Sequence, residues 1–110
     1  MHLFLECVHV NTFWEDFTLK WGEQLRFTEL TPKDILLGIP GHNPHIQLLN
    51  HLLILAKHHI HSVKIKKRMP SIVEFKYRVK YIKGIEELLA IKRGKLYIHN
   101  QKWSQILNTL

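Results

Sequence analysis

Apolar residues recur at steps of three and four over residues 44–68, the longest periodic stretch of the chain. On a helix this spacing gathers them into one stripe, formed by Ile46, Leu49, Leu53, Ala56, Ile60 and Val63. Asn43 and Pro44 are a typical helix start, and Pro70 is a typical stop just beyond the end. The pattern therefore predicts a long central helix over about residues 44–68.

A row of large apolar side chains predicts a second helix near the N-terminus. Its members, spaced by three and four, are Val10, Phe13, Trp14, Phe17 and Trp21. Thr12 and Glu15 fit a capping box, and a start just after Cys7 is the alternative. An aromatic row at this spacing is more often part of a core than a platform for stacked bases.

Start and stop signals divide the remaining sequence into shorter helices. Residues 31–34 combine a cap, a proline and a carboxylate, which predicts a short helix over residues 34–37 that Gly38 ends. The capping box at residues 71–74 predicts a helix that continues to about residue 92. The apolar residues at positions 103, 106, 107 and 110 predict a short terminal helix that starts near His99 or Asn100, and no strand pattern of comparable length competes.

The overall composition agrees with one folded domain. The chain has 110 residues, 45% of them hydrophobic, which argues against intrinsic disorder. The single cysteine excludes an internal disulfide, and no apolar run reaches the ~20 residues that a membrane span needs. We expect one all-α domain over residues 1–110, a bundle of four to five helices around the central one. We also expect an intracellular protein, cytoplasmic or nuclear, that contacts no membrane and is monomeric or weakly associated.

Charge is spread unevenly along the chain. Residues 1–50 carry a net charge of −3 and residues 51–110 one of +10, together the overall +7. A turn through Met69 and Pro70 would bring many of these cations to one end of the molecule. There they could meet the phosphates of a nucleic acid, although a solvated lysine-rich surface is the alternative. The candidate binding residues are Lys64, Lys66, Lys67, Arg68, Lys76, Arg78, Lys80 and Lys83.

Residues with catalytic or metal-binding chemistry form no complete motif. Nine histidines are present, and His58 and His61 are one helical turn apart, yet no H-E-x-x-H pattern or nearby cysteine completes a zinc site. Paired carboxylates, a nucleophile elbow and a phosphate loop are all missing from the pattern. We therefore expect no enzymatic activity. His2 and Cys7 stand in an H-x4-C arrangement, the spacing of half a zinc knuckle.

Four segments of the chain resemble the C-terminal region of non-LTR (LINE-type) retrotransposon reverse transcriptases. HLFLECVHVNTFW at residues 2–14 is similar to the family's H-L-F-x-x-C-x-x-V-x-x-F-W segment. DILLG at residues 34–38, NHLLILAKHHIH at residues 50–61 and AIKRGKLYIHNQKW at residues 90–103 also look like the tails of these polyproteins. The resemblance thus extends over nearly the whole chain, in a consistent order and spacing.

The resemblance implies a non-catalytic segment that follows a polymerase domain. In that family a C-x2-C and H-x4-C knuckle helps to hold template RNA or target DNA, and only His2 and Cys7 match its ligand positions. The resemblance thus implies a fragment with a half-site only, so we expect no tight zinc binding and no other cofactor. The expected partner is RNA or DNA, bound non-specifically. One alternative is a protein-interaction module whose aromatic helix face docks on a polymerase core; another is a functionless retroelement remnant.

Overall fold

The computed structural model describes residues 8–110, and this part of the chain is entirely helical between its turns. In chain order the helices are α1 (Val8–Trp21), α2 (Pro32–Leu37), α3 (Pro44–Ile65), α4 (Ile72–Lys92) and α5 (Leu96–Trp103). A 3-10 segment over Ser104–Thr109 follows, and residues 8–110 contain no strand. The predicted all-α bundle around a long central helix is confirmed.

The central helix α3 is the axis on which the other helices pack. Its apolar stripe is buried from Leu49 to Val63, whereas Ile46 is only half-buried; Leu48 and Leu52, on a neighbouring face, are buried as well. The helix ends at Ile65 rather than at residue 68, because Lys67 adopts a left-handed conformation with φ of 57°. The Lys67 N–H donates to the Lys64 carbonyl and the Arg68 N–H to the Val63 carbonyl. This pair of bonds is a Schellman motif, which satisfies the last carbonyls while the chain reverses.

The aromatic face of α1 lies in the core, as its spacing predicted. Phe13, Phe17 and Trp21 are fully buried and form tilted or edge-to-face contacts with one another and with Phe75 of α4. The Trp21 indole N–H also donates to Thr109 Oγ1 at 2.9 Å, which ties α1 to the C-terminal segment. Of the two predicted starts, the one just after Cys7 agrees with the structure: α1 begins at Val8, so Thr12 and Glu15 lie inside the helix rather than at its cap.

The short helix α2 and the loop after it are held by a capping box and by an asparagine side chain of α3. The Thr31 hydroxyl accepts from the Asp34 N–H, and the Asp34 carboxylate accepts from the Thr31 N–H, so the helix starts at Pro32 as a capped unit. The Asn50 side chain of α3 then bonds both the N–H and the carbonyl of Ile39, at 2.7 and 2.8 Å. These bonds dock the loop after α2 against the central helix.

Helix α4 packs on the core by its first half. The Ser71 hydroxyl caps its start, Phe75 and Val79 are buried, and the helix continues through Gly84 to Lys92. Ile85 and Leu89, which continue the helical apolar spacing of Phe75 and Val79, are nearly half exposed. We attribute this change in burial to the packing partners of α4. Its first half packs in the main aromatic core, whereas its second half is followed by the short helix α5 and contacts it.

Candidate nucleic-acid interface

The turn between α3 and α4 presents four of the predicted basic residues, which we call the turn group: Lys64, Lys66, Lys67 and Arg68. All four side chains are exposed. Arg68 differs from the lysines because its guanidinium forms a two-point pair with the Glu74 carboxylate, at 3.0 and 3.4 Å. Within the described residues the turn group therefore offers three lysines without an ion pair and one arginine whose charge is already partly compensated.

The buried side chain of His59 on α3 holds the chain in place where the turn ends and α4 begins. His59 Nε2 accepts a hydrogen bond from the Ser71 N–H at 3.3 Å, and its ring packs against Phe13 and Phe75. Burial first, and then the positive charge of Arg78, lowers the pKa of His59. A neutral His59 is also the form that can accept this bond. The His59–Ser71 hydrogen bond therefore joins α3 to the N-terminus of α4 without adding a buried charge.

One side of α4 carries a second set of cations, which we call the flank group: Lys20, Lys76, Lys80 and Lys83. The three α4 lysines are four and three positions apart, a spacing that places them on one helix face. Lys20, at the end of α1, lies close to this face, since α1 packs on α4. Partial burial first, and then the nearby charges of Lys76 and Lys80, lower the pKa of Lys20. Within residues 8–110 none of these lysines forms an ion pair. The flank group is thus an uncompensated positive patch.

Arg78 belongs to neither group. Two positions from both Lys76 and Lys80, it points to the other side of α4, where its guanidinium donates to His58 Nδ1 of α3 at 3.2 Å. The eight predicted residues therefore do not share a single surface. The fold divides them between the turn, one flank of α4 and the α3–α4 groove. It also adds Lys20, which sequence analysis missed because 56 residues separate it from Lys76.

A polar network joins α3, α4 and α5 away from the basic groups. The Lys102 ammonium donates to His51 Nδ1 at 2.8 Å and to the Glu86 carboxylate at 3.3 Å. The Trp103 indole N–H donates to the same carboxylate at 2.8 Å. Burial first, and then Lys102, lowers the pKa of His51, which favours its role as a neutral acceptor. Because these groups satisfy one another's hydrogen-bonding capacity, the network holds α3, α4 and α5 together. Sequence spacing alone did not predict it.

The fold also bears on the expected docking face, on metal sites and on membrane contact. The aromatic face of α1 is buried in the core, so in this fold it offers no surface for docking on a polymerase. The half-site of His2 and Cys7 lies outside the described residues. Within residues 8–110, no three His, Cys, Asp or Glu side chains are close enough together to hold a metal ion. No helix in that same range is long and apolar enough to cross a membrane.

Comparison with protein-family models, with curated proteins and with solved structures found no match to this chain. The strongest functional feature of the described chain is the uncompensated charge of the flank group, to which the turn group adds three exposed lysines.

Proposed function

We propose that this chain is a non-catalytic module that binds the backbone of RNA or DNA without sequence preference. This is the role implied by its resemblance to the tails of LINE-type reverse transcriptases. The observation that carries the proposal is the flank group, in which folding places Lys20 of α1 beside Lys76 and Lys80 of α4. Such a cluster is repulsive on its own, and phosphate groups would relieve that repulsion.

The chemistry of the two basic groups favours phosphate contacts over base recognition. Six of their seven lysines and their single arginine belong to the predicted set, and ammonium groups bind phosphate as point charges. The aromatic side chains of α1, which could have stacked on bases, are buried. Binding should therefore depend on salt and depend little on sequence.

The two basic groups should not contribute equally. Arg68 must give up its pair with Glu74 before it can bind a phosphate fully, so part of its gain is lost. The flank lysines have no such carboxylate to release in the described part of the chain. We expect the flank group to contribute more binding free energy per charge than Arg68 does.

The salt dependence of binding tests the proposal. The logarithm of the association constant should fall linearly with the logarithm of salt concentration, by about 0.9 for each duplex phosphate neutralised. The pair Lys76→Gln and Lys80→Gln should reduce that slope by about two units. The matched control, Arg26→Gln with Lys33→Gln, removes the same charge from a region outside both groups and should leave the slope nearly unchanged.

Fluorescence anisotropy with random duplex DNA, poly-U and a structured RNA provides the measurement. All three should weaken in parallel in the α4 variant, because no base-reading group has been removed. The variant Lys66→Gln, Lys67→Gln and Arg68→Gln should lower the slope by about two to three units, towards the smaller value if Arg68 stays on Glu74. A wild-type protein that does not bind at low salt would refute the proposal. Equal slopes for the α4 variant and its control would also refute it.

A further inference from the structure

The outer face of α4 carries a regular apolar stripe that the fold does not use. Tyr77, Tyr81, Leu88 and Ile91 are 62%, 71%, 70% and 55% exposed. With Gly84 they follow one another at steps of four, three, four and three. This is the seven-residue repeat with which two helices pack along a seam. The buried residues Phe75 and Val79 lie on the opposite side of the helix, so the stripe faces outward.

The centre of the stripe is an open depression with room for a side chain of a partner. A Cβ placed on Gly84 would meet no atom within 4 Å, and an open depression of about 480 Å³ surrounds this glycine. Tyr81, which borders the depression, projects from the surface three residues away. The stripe thus holds a notch and a knob side by side. Two copies in opposite directions would seat each knob in the other copy's notch.

The antiparallel arrangement follows from the positions of these residues. A two-fold axis between residues 82 and 83 places Tyr81 of one copy against Gly84 of the other, and Tyr77 against Leu88. The same register brings Lys80 opposite Glu87 of the second copy, twice by symmetry. A parallel pair would instead stack Gly84 on Gly84, which leaves a gap, and would set Lys80 against an apolar residue. Both shape and charge therefore favour the antiparallel pair.

We propose that two copies of this chain form an antiparallel dimer through the outer face of α4. The exposed parts of the four stripe side chains and of Ile85 amount to roughly 600 Å² per chain, if each large side chain offers about 200 Å². The pair would then bury about 1,200 Å², the lower end for specific complexes. An interface at this lower end of the size range fits the weak association expected from the sequence.

Sedimentation velocity over a concentration series, without nucleic acid, tests the dimer independently of the proposed function. The wild-type chain should shift from monomer to dimer, and Leu88→Gln should weaken the dimer at least tenfold. Leu19→Gln is the matched control, because Leu19 is 84% exposed on α1, outside the stripe, and its removal should change the constant less than twofold. A wild-type chain that stays monomeric up to about 1 mM overturns the proposal. Equal effects of the two leucine variants also overturn it.

A charge exchange tests the direction and register of the pair. Lys80→Glu places like charges opposite Glu87 in its homodimer, and Glu87→Lys does the same opposite Lys80, so each variant alone should dimerise at least tenfold more weakly. Mixed together, the two variants restore both opposite-charge pairs, and the heterodimer should be at least tenfold tighter than either homodimer. Equal helical circular dichroism of every variant confirms that the fold is intact. A mixture with no gain in affinity overturns the antiparallel register.

Discussion

Replacing Phe75 with alanine should lower the free energy of unfolding by about 3–5 kcal/mol. The ring is fully buried and lies edge-to-face on Phe13 and Trp21, with centroids 5.5 and 5.7 Å away. It also contacts Phe17 and His59 at tilted angles, so one side chain of α4 meets rings from both α1 and α3. Each such aromatic pair can add about 0.5–1.5 kcal/mol beyond the area it buries. Because a domain typically has about 5–15 kcal/mol in total, the variant should be marginally stable.

Urea unfolding followed by tryptophan fluorescence measures this loss. With a denaturant slope of about 2 kcal/mol per molar, the midpoint should fall by roughly 2 M. Phe75→Leu keeps part of the volume and should cost about 1–2 kcal/mol, while Leu19→Ala on the exposed side of α1 should cost less than about 0.5 kcal/mol. A loss below about 1 kcal/mol for Phe75→Ala would show that the other rings close the space without it. The central role assigned to Phe75 would then be wrong.

Two further predictions concern the α3–α4 turn. Lys67→Gly should stabilise the chain by about 1 kcal/mol, because glycine adopts the φ of 57° without strain. The control Lys66→Gly, at φ of −82°, should not stabilise it. An unchanged urea midpoint for Lys67→Gly would contradict this reasoning. Stability should also fall as the pH decreases below about 6.5. Burial and the arginines at positions 68 and 78 outweigh the opposing Glu74 charge and lower the pKa of His59 in the fold, so the unfolded chain takes up a proton first. Burial also lowers the pKa of His51, so this residue should contribute to the same loss of stability at low pH. Melting temperatures at pH 8 and pH 5.5 measure the effect, which should be smaller in His59→Phe; equal temperatures for the wild-type chain would refute it.

Local signals in the sequence were sufficient for most of the helices. The capping box of Thr31 and Asp34 and the Ser71 cap start α2 and α4 within two residues of their expected positions, because a cap is satisfied by atoms only three residues away. Gly94, with φ of 69°, ends α4 for an equally local reason, since it adopts the left-handed conformation at little cost. The apolar spacing of α3 likewise identified its buried stripe. These features depend on helix geometry and on neighbouring residues alone.

The functional surfaces were determined by tertiary packing. The sequence predicted a basic end, yet only the packing of α1 on α4 brought Lys20 to the flank, and only the packing of α4 on α3 brought Arg78 within hydrogen-bond distance of His58. The network of His51, Glu86 and Lys102 likewise joins side chains 16 to 51 residues apart. An apolar spacing shows which face of a helix could be buried, but not whether a partner covers it. No other helix of the described chain covers the apolar stripe on the outer face of α4, because α1, α3 and α5 pack on other parts of this helix.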